Sequence, residues 1–302
     1  MNRGTFFGIL AILIWATNVA FSRSLTESLG TLTAGATSFI LGGTIAILYL
    51  WLTSGSLKSL VHQSPRFLFV CGALFIINDT SLNCAIGFAS SRPQVLAVGL
   101  INYLWPTFGL LFSIPILKKK ARFYLPLGVL VAMTGVCLAL SNGDLALLGD
   151  IVKSPGAGGA YLLAFVAAVT WGLFSNLSSK WGGDSDQGAV PLFILAGGLL
   201  MLALRAFIPE TTHWSASAGL NLIYMAVFPA MLAFIFWDNA MRKGQTITVM
   251  ALSYLIPLFS TVISVITLGV SPSPSLWLAA ALVIGGAILC RSAIQESGKI
   301  GA

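Results

Sequence analysis

Apolar runs the length of a membrane crossing recur along the whole chain, separated by short polar or turn-forming stretches. A helix needs roughly 20 apolar residues to cross about 30 Å of hydrocarbon. Ten windows meet that requirement: 4–23, 31–53, 66–89, 93–117, 122–141, 159–180, 188–208, 217–240, 245–269 and 274–291. The runs are continuous rather than alternating, so they read as helices and not as barrel strands. The longest connection, 142–158, carries Gly-Asp and Ser-Pro-Gly turns and divides the ten spans five and five. The expected organisation is a first five-helix repeat over 1–141, a linker over 142–158 on the non-cytoplasmic side, and a second five-helix repeat over 159–302.

The two halves echo each other. Asn102-Tyr103-Leu104-Trp105-Pro106-Thr107-Phe108 in the fourth span matches Ser253-Tyr254-Leu255-Ile256-Pro257-Leu258-Phe259 in the ninth at Tyr, Leu, Pro and Phe. The stretch from Trp15 to Arg23 in the first span is matched by Trp171 to Lys180 in the sixth: a Trp, then Asn and Ser, then a base at the helix end. Recurrence of this kind points to duplication. Five spans is an odd number, so the second copy enters the membrane inverted. The fold class expected is an all-α polytopic membrane protein, with ten transmembrane helices as two inverted repeats around a central cavity. Inverted repeats characterise many secondary transporters.

Composition agrees. Of 302 residues, 57% are hydrophobic and 8% charged, against about a quarter charged in ordinary soluble domains. A net charge of +7 would suggest nucleic acid in a soluble protein, but here the bases sit between apolar runs and report topology. With both termini cytoplasmic, that side carries Arg3, Lys58, Arg66, Lys118, Lys119, Lys120, Arg122, Lys180, Arg242, Lys243, Arg291 and Lys299. The other side carries Arg23, Arg92, Lys153 and Arg205. The expectation is a bacterial-type inner membrane protein with both termini cytoplasmic and no nucleic-acid partner. The first apolar run is too long for a signal peptide and no Ala-x-Ala site follows it, so it is expected to remain as a helix. Cys71, Cys84, Cys137 and Cys290 all fall within spans and read as small packing residues.

The ten-span layout, the first-span Trp15 and the Asn-Tyr-Leu-Trp-Pro run resemble the drug/metabolite transporter superfamily in its two-repeat EamA branch. The resemblance covers essentially the whole chain. It implies a basket of inverted repeats around a central cavity, and export of aromatic and some other neutral amino acids.

The residues add their own candidates. Pro106 and Pro257 fall near mid-helix and would deprive the carbonyls of Asn102 and Ser253 of helical donors, giving two matched helix breaks for binding or gating. Asp79 lies thirteen residues beyond Arg66, about 20 Å into its span, with Asn78 beside it and Asn83 one turn on. An acid at that depth is a functional candidate by default; its structural alternative is a hydrogen-bonded helix tie. Asp238, four residues before Arg242, reads as half of a local interfacial ion pair. Trp15 and Asn18 share a face of the first span, Trp171 and Ser175 one of the sixth. With Tyr103, Trp105 and Tyr254 they make an aromatic-lined site where a flat side chain stacks and an ammonium gains cation–π attraction. The alternative for any one ring is core packing. Since no Lys or Arg falls mid-span, a substrate carboxylate would meet Asn102, Asn83, Asn18 or an indole N–H, and polyanionic substrates are disfavoured.

His62 and His213, the two histidines, lie in loops on opposite sides, which argues against a buried His-dependent enzyme or a two-His metal site. No cofactor and no metal are expected. A channel lacks a visible filter or ring of mid-span charges. The reading is a secondary transporter working by alternating access on small amino-acid-like metabolites. The runner-up is a broad drug exporter of the same superfamily. The lipid bilayer is the obligatory partner, protons are a candidate coupling ion, and oligomeric state is open.

Overall fold

The computed structural model describes residues 2–89, 92–141, 143, 144, 146, 158–183, 188–268 and 274–295. Most of the 142–158 linker, with Lys153, and the tail with Lys299 lie outside the described residues. In chain order the helices are α1 (Arg3–Leu29), α2 (Thr31–Ser54), the short α3 (Lys58–Val61) and α4 (Gly72–Phe88), the last entered through a π-helical stretch at Phe67–Cys71. Then come α5 (Arg92–Asn102), α6 (Trp105–Ile116), α7 (Leu125–Leu140), α8 (Gly158–Trp181), α9 (Val190–Arg205) and α10 (Ala216–Val227). A second π-helical stretch, Phe228–Ala233, joins α10 to α11 (Phe234–Lys243), followed by α12 (Thr246–Leu252), α13 (Leu255–Leu268) and α14 (Pro274–Ala293). Two residues of β1 (Lys120–Ala121) pair antiparallel with β2 (Ile294–Gln295), a small tie between the α6–α7 loop and the end of α14.

The protein is an all-α membrane protein. Among the described residues, Thr31–Ser54, Phe67–Phe88, Ala97–Ile116, Gly158–Trp181 and Ala216–Lys243 are long and apolar enough to cross a bilayer, and shorter apolar helices accompany them. Leu52, Phe69, Leu130 and Leu220 stand exposed on the outside of the bundle, a surface that only hydrocarbon would cover without cost.

Three expectations need correcting. The first helix runs to Leu29 and not to residue 23, because the polar stretch after Phe21 ends the apolar run without ending the helical hydrogen bonding. Gly30, with φ of +84°, is what stops it, and α2 starts at the next residue. The fourth and ninth spans are not single helices with interior prolines. Each breaks at a two-residue turn, Tyr103–Leu104 and Ser253–Tyr254, so Pro106 becomes the second residue of α6 and Pro257 the third of α13. A proline near a helix start lacks only an N–H that would have had no partner there. The Ser253 carbonyl is therefore not bare: it accepts the Ile256 N–H at 3.1 Å.

Helix pairing has a pattern. α7 packs along α14, and α2 along α9; α4 packs on α8 as α11 packs on α1, and α6 packs on α8 as α13 packs on α1. The π-helical stretches fall in the third and eighth apolar segments, the turns in the fourth and ninth. Close approach rests on small residues: a Cβ placed on Gly286 of α14 would stand 2.4 Å from the backbone nitrogen of Ala132 in α7. Gly286→Ala is expected to push the pair apart and cost about 1–3 kcal/mol, read as a lower melting temperature by scanning fluorimetry in detergent. An unchanged melt would mean that α7 and α14 separate freely.

Candidate functional site

The centre of the bundle is a cluster of rings. Trp15 of α1 meets Trp171 of α8 edge-on at 5.7 Å, and Phe234 and Trp237 of α11 at 5.4 Å each. Trp105 of α6 meets Trp171 at 6.4 Å and Trp237 at 5.3 Å. Phe75 of α4 sits 4.8 Å from Phe234 and 6.1 Å from Trp171. Most of these pairs are edge-on or tilted, as the ring quadrupole favours. Helical spacing builds the cluster: Phe234, Trp237, Asp238 and Met241 follow i, i+3, i+4, i+7 on the buried face of α11. Trp237 and Phe75, both fully buried, were missed from the sequence, although these spacings were there to be read.

Polar groups are threaded between the rings. The Trp237 indole N–H donates to Ser175 Oγ at 3.1 Å. The hydroxyls of Thr107 in α6 and Tyr254 in the α12–α13 turn lie 2.6 Å apart, joining the two broken segments. Asn78 Nδ2 donates to the Ala167 carbonyl of α8 at 2.8 Å, and Asn176 Nδ2 to the Gly109 carbonyl at 2.8 Å. Asn83 donates to the Asp79 carbonyl of its own helix, and Ser253 Oγ to the Val249 carbonyl. Asn102 and Tyr103 are half-buried at the α5–α6 break; Pro106 and Pro257 are buried. Among the described residues, Asn18 Oδ1 and Asp79 Oδ2 are buried without a hydrogen-bond partner. Orphaned acceptors in an interior are costly and call for an explanation.

Asp238 pairs with Arg242 at 2.8 Å, and both side chains are 3% exposed or less, so the local ion pair is enclosed by its neighbours. Asp238 Oδ1 also accepts from Ser178 at 2.7 Å, and Arg242 donates to the Gly182 carbonyl at 3.2 Å. The pair ties α11 to the end of α8. At the opposite end of the bundle, Glu210 accepts the Leu32 and Thr33 N–H groups at 2.8 and 2.9 Å, and Arg205 lies 3.5 Å from it. A carboxylate at a helix N-terminus complements the free N–H groups and the dipole. Thr212 Oγ1 donates to the Leu29 carbonyl at 2.9 Å, so the α1–α2 corner is held shut there.

A cavity of about 800 Å³ opens at the other end, between the α1–α11 pair and the α2–α9 pair, walled by residues including Phe7, Ala46, Leu50, Pro191, Ile235 and Asn239. None of the sequence-derived candidates Trp15, Asn18, Asn78, Asp79, Asn83, Asn102, Tyr103, Trp105, Trp171, Ser175, Ser253 and Tyr254 is in its wall. Among the described residues no group of three His, Cys, Asp or Glu side chains comes together.

Comparison with known proteins returns one family and a consistent set of relatives. The model of the EamA-like transporter family matches residues 2–141 and 158–292. A protein named aromatic amino acid exporter YddG from Escherichia coli is 28% identical over 98% of this chain and 99% of its own length. Its namesake in Salmonella typhimurium is 27% identical over 98% and 99%, and that of Ancylobacter novellus 28% identical over 95% and 96%. A solved crystal structure, 26% identical, matches with a TM-score of 0.81 over 96% of this chain and 97% of that one. The ring cluster, the broken helices and the apolar outer surface thus belong to a small-molecule transporter of the membrane, and the chain is a member of the EamA-like transporter family.

Proposed function

We propose that this protein is a secondary transporter that exports aromatic and other neutral amino acids by alternating access, with both termini cytoplasmic and its ten spans arranged as two inverted repeats, 1–141 and 159–302. The exchange of helix pairings supports the repeat: swapping each segment of the first half for its counterpart in the second turns α4 on α8 into α11 on α1, and leaves α2–α9 and α7–α14 as pairs. A two-fold axis in the membrane plane has that effect. The twelve-to-four distribution of bases supports the orientation.

The observation that carries the substrate assignment is a cluster of rings whose contributing helices also bear two unsatisfied buried oxygens. Trp15 and Phe75 both touch Trp171 and Phe234. α1 and α4 each run antiparallel to α2, hence parallel to each other. One turn further along each stand Asn18 and Asp79, each with a buried oxygen that has no partner. Two acceptors, one of them a carboxylate, suit an ammonium group, and the rings suit a flat apolar side chain. In this reading Asn83, Asn102 and the indole N–H groups serve the substrate carboxylate, and the turns at Tyr103–Leu104 and Ser253–Tyr254 let the halves rock.

Purified protein in proteoliposomes is expected to show saturable phenylalanine counterflow inhibited by tyrosine and tryptophan. Movement of bulky lipophilic cations alone would replace the amino-acid assignment with that of a drug exporter, and non-saturating flux without counterflow would make the protein a channel.

A further inference from the structure

We propose that the cavity between the α1–α11 and α2–α9 pairs is a binding groove for one anionic phospholipid, drawn from the leaflet on the side of the N-terminus. Its walls are apolar, from Ala46 and Leu50 of α2 to Leu232 and Ile235 across the gap. It opens sideways: Tyr49 lines it and is 67% exposed, next to Leu48, Trp51 and Leu52, which are themselves exposed on the outer surface of the same helix. A small zwitterionic substrate has no use for some 800 Å³ of hydrocarbon-walled space reached from the bilayer, whereas an acyl chain does.

The rim supplies the complementary charge. The start of α1 docks on the end of α11, where Asn2 Nδ2 donates to the Lys243 carbonyl at 3.1 Å and the Gln245 N–H to Thr5 Oγ1 at 2.9 Å. Arg3 and Lys243, on either side of that contact, both line the cavity. Arg242 is committed to Asp238 deeper in the same wall. The Arg3 guanidinium lies 5.5 Å over the Phe7 ring. Two bases beside an apolar slot at membrane depth match a phosphodiester headgroup with a chain beneath it. Asn2 and Asn239, also in the wall, add hydrogen-bond donors for glycerol or carbonyl oxygens.

The test is native mass spectrometry of the detergent-purified full chain titrated with phosphatidylglycerol or phosphatidylcholine of equal chain length. One phosphatidylglycerol is expected to stay bound at concentrations where phosphatidylcholine does not. Removing both rim charges in Arg3→Gln/Lys243→Gln should weaken retention about twenty-five-fold, the product of two roughly fivefold charge losses. Ile235→Trp, which fills the slot and leaves the rim alone, should abolish retention of both lipids. Should Ile235→Trp fail to fold, Leu232→Phe narrows the same slot. Equal retention by all variants overturns the proposal. So does a loss on charge removal with none on filling, which would describe a diffuse basic surface. Displacement of the lipid by millimolar phenylalanine would overturn it as well, assigning the groove to cargo.

Discussion

Arg242→Ala is expected to lower the unfolding free energy by about 3–5 kcal/mol, the usual cost of leaving one charge of a buried pair without its partner. Asp238 is 2% exposed. Its Oδ2 takes the Arg242 Nε and Nη2 at 2.8 Å each, leaving, among the described residues, the Ser178 hydroxyl on Oδ1 if arginine is removed. The guanidinium also holds the Gly182 carbonyl, so its loss frees the end of α8. Arg242→Lys should recover little, since an ammonium does not reproduce the two-pronged contact. Asp238→Leu/Arg242→Met, which removes both charges, should recover most of the loss. Thermal unfolding in a mild detergent, followed by intrinsic fluorescence, reads all three. A loss below about 1 kcal/mol for Arg242→Ala would mean the pair is hydrated, as exposed pairs are.

Asp79→Asn is expected to reduce transport by about ten- to hundredfold while leaving the melting temperature equal or higher. The first part follows from the proposed ammonium contact: a hydrogen bond to a charged group is worth about 1.5–3 kcal/mol. The second follows from burial, because an amide is cheaper than a carboxylate at a site where Oδ2 has no partner. The two readouts separate the alternatives left open by the sequence. A helix tie would lose stability, and an uninvolved side chain would leave rate and pH profile unchanged. Phenylalanine flux in proteoliposomes, with and without an imposed proton gradient, supplies the first readout. If the loss appears only under the gradient, Asp79 carries the coupling proton and not the ammonium.

How much of this was legible beforehand depended on the kind of interaction. Membrane helices declare themselves because lipid demands a long, largely apolar run whose backbone groups bond within the protein. α2, α8 and the segment from Ala216 to Lys243 were therefore placed within a few residues. The breaks in the fourth and ninth segments were signalled by Pro106 and Pro257, yet the turns lie upstream of them. A proline excludes a hydrogen bond but does not dictate which residues turn to avoid it. The enclosure of Asp238 by its neighbours was not legible, because distance along a helix measures height in the membrane and not packing. Trp237 and Phe75 were overlooked because helical spacing marks a buried face without saying which neighbours a ring on that face will meet.

By itself the sequence determined the solvent, the rough limits of the long apolar helices and the placing of most bases between apolar runs. Each of these follows from the cost of placing a polar or charged group in hydrocarbon, a cost paid residue by residue. Only the tertiary structure decided that four tryptophans from four helices converge, that Asn18 and Asp79 keep an oxygen unsatisfied, and that a basic-rimmed groove opens beside α2. Those features depend on how helices far apart in the chain pack together, and in a membrane that choice is set by close fit between small residues and by a few hydrogen bonds, which leave no periodic trace in the order of amino acids.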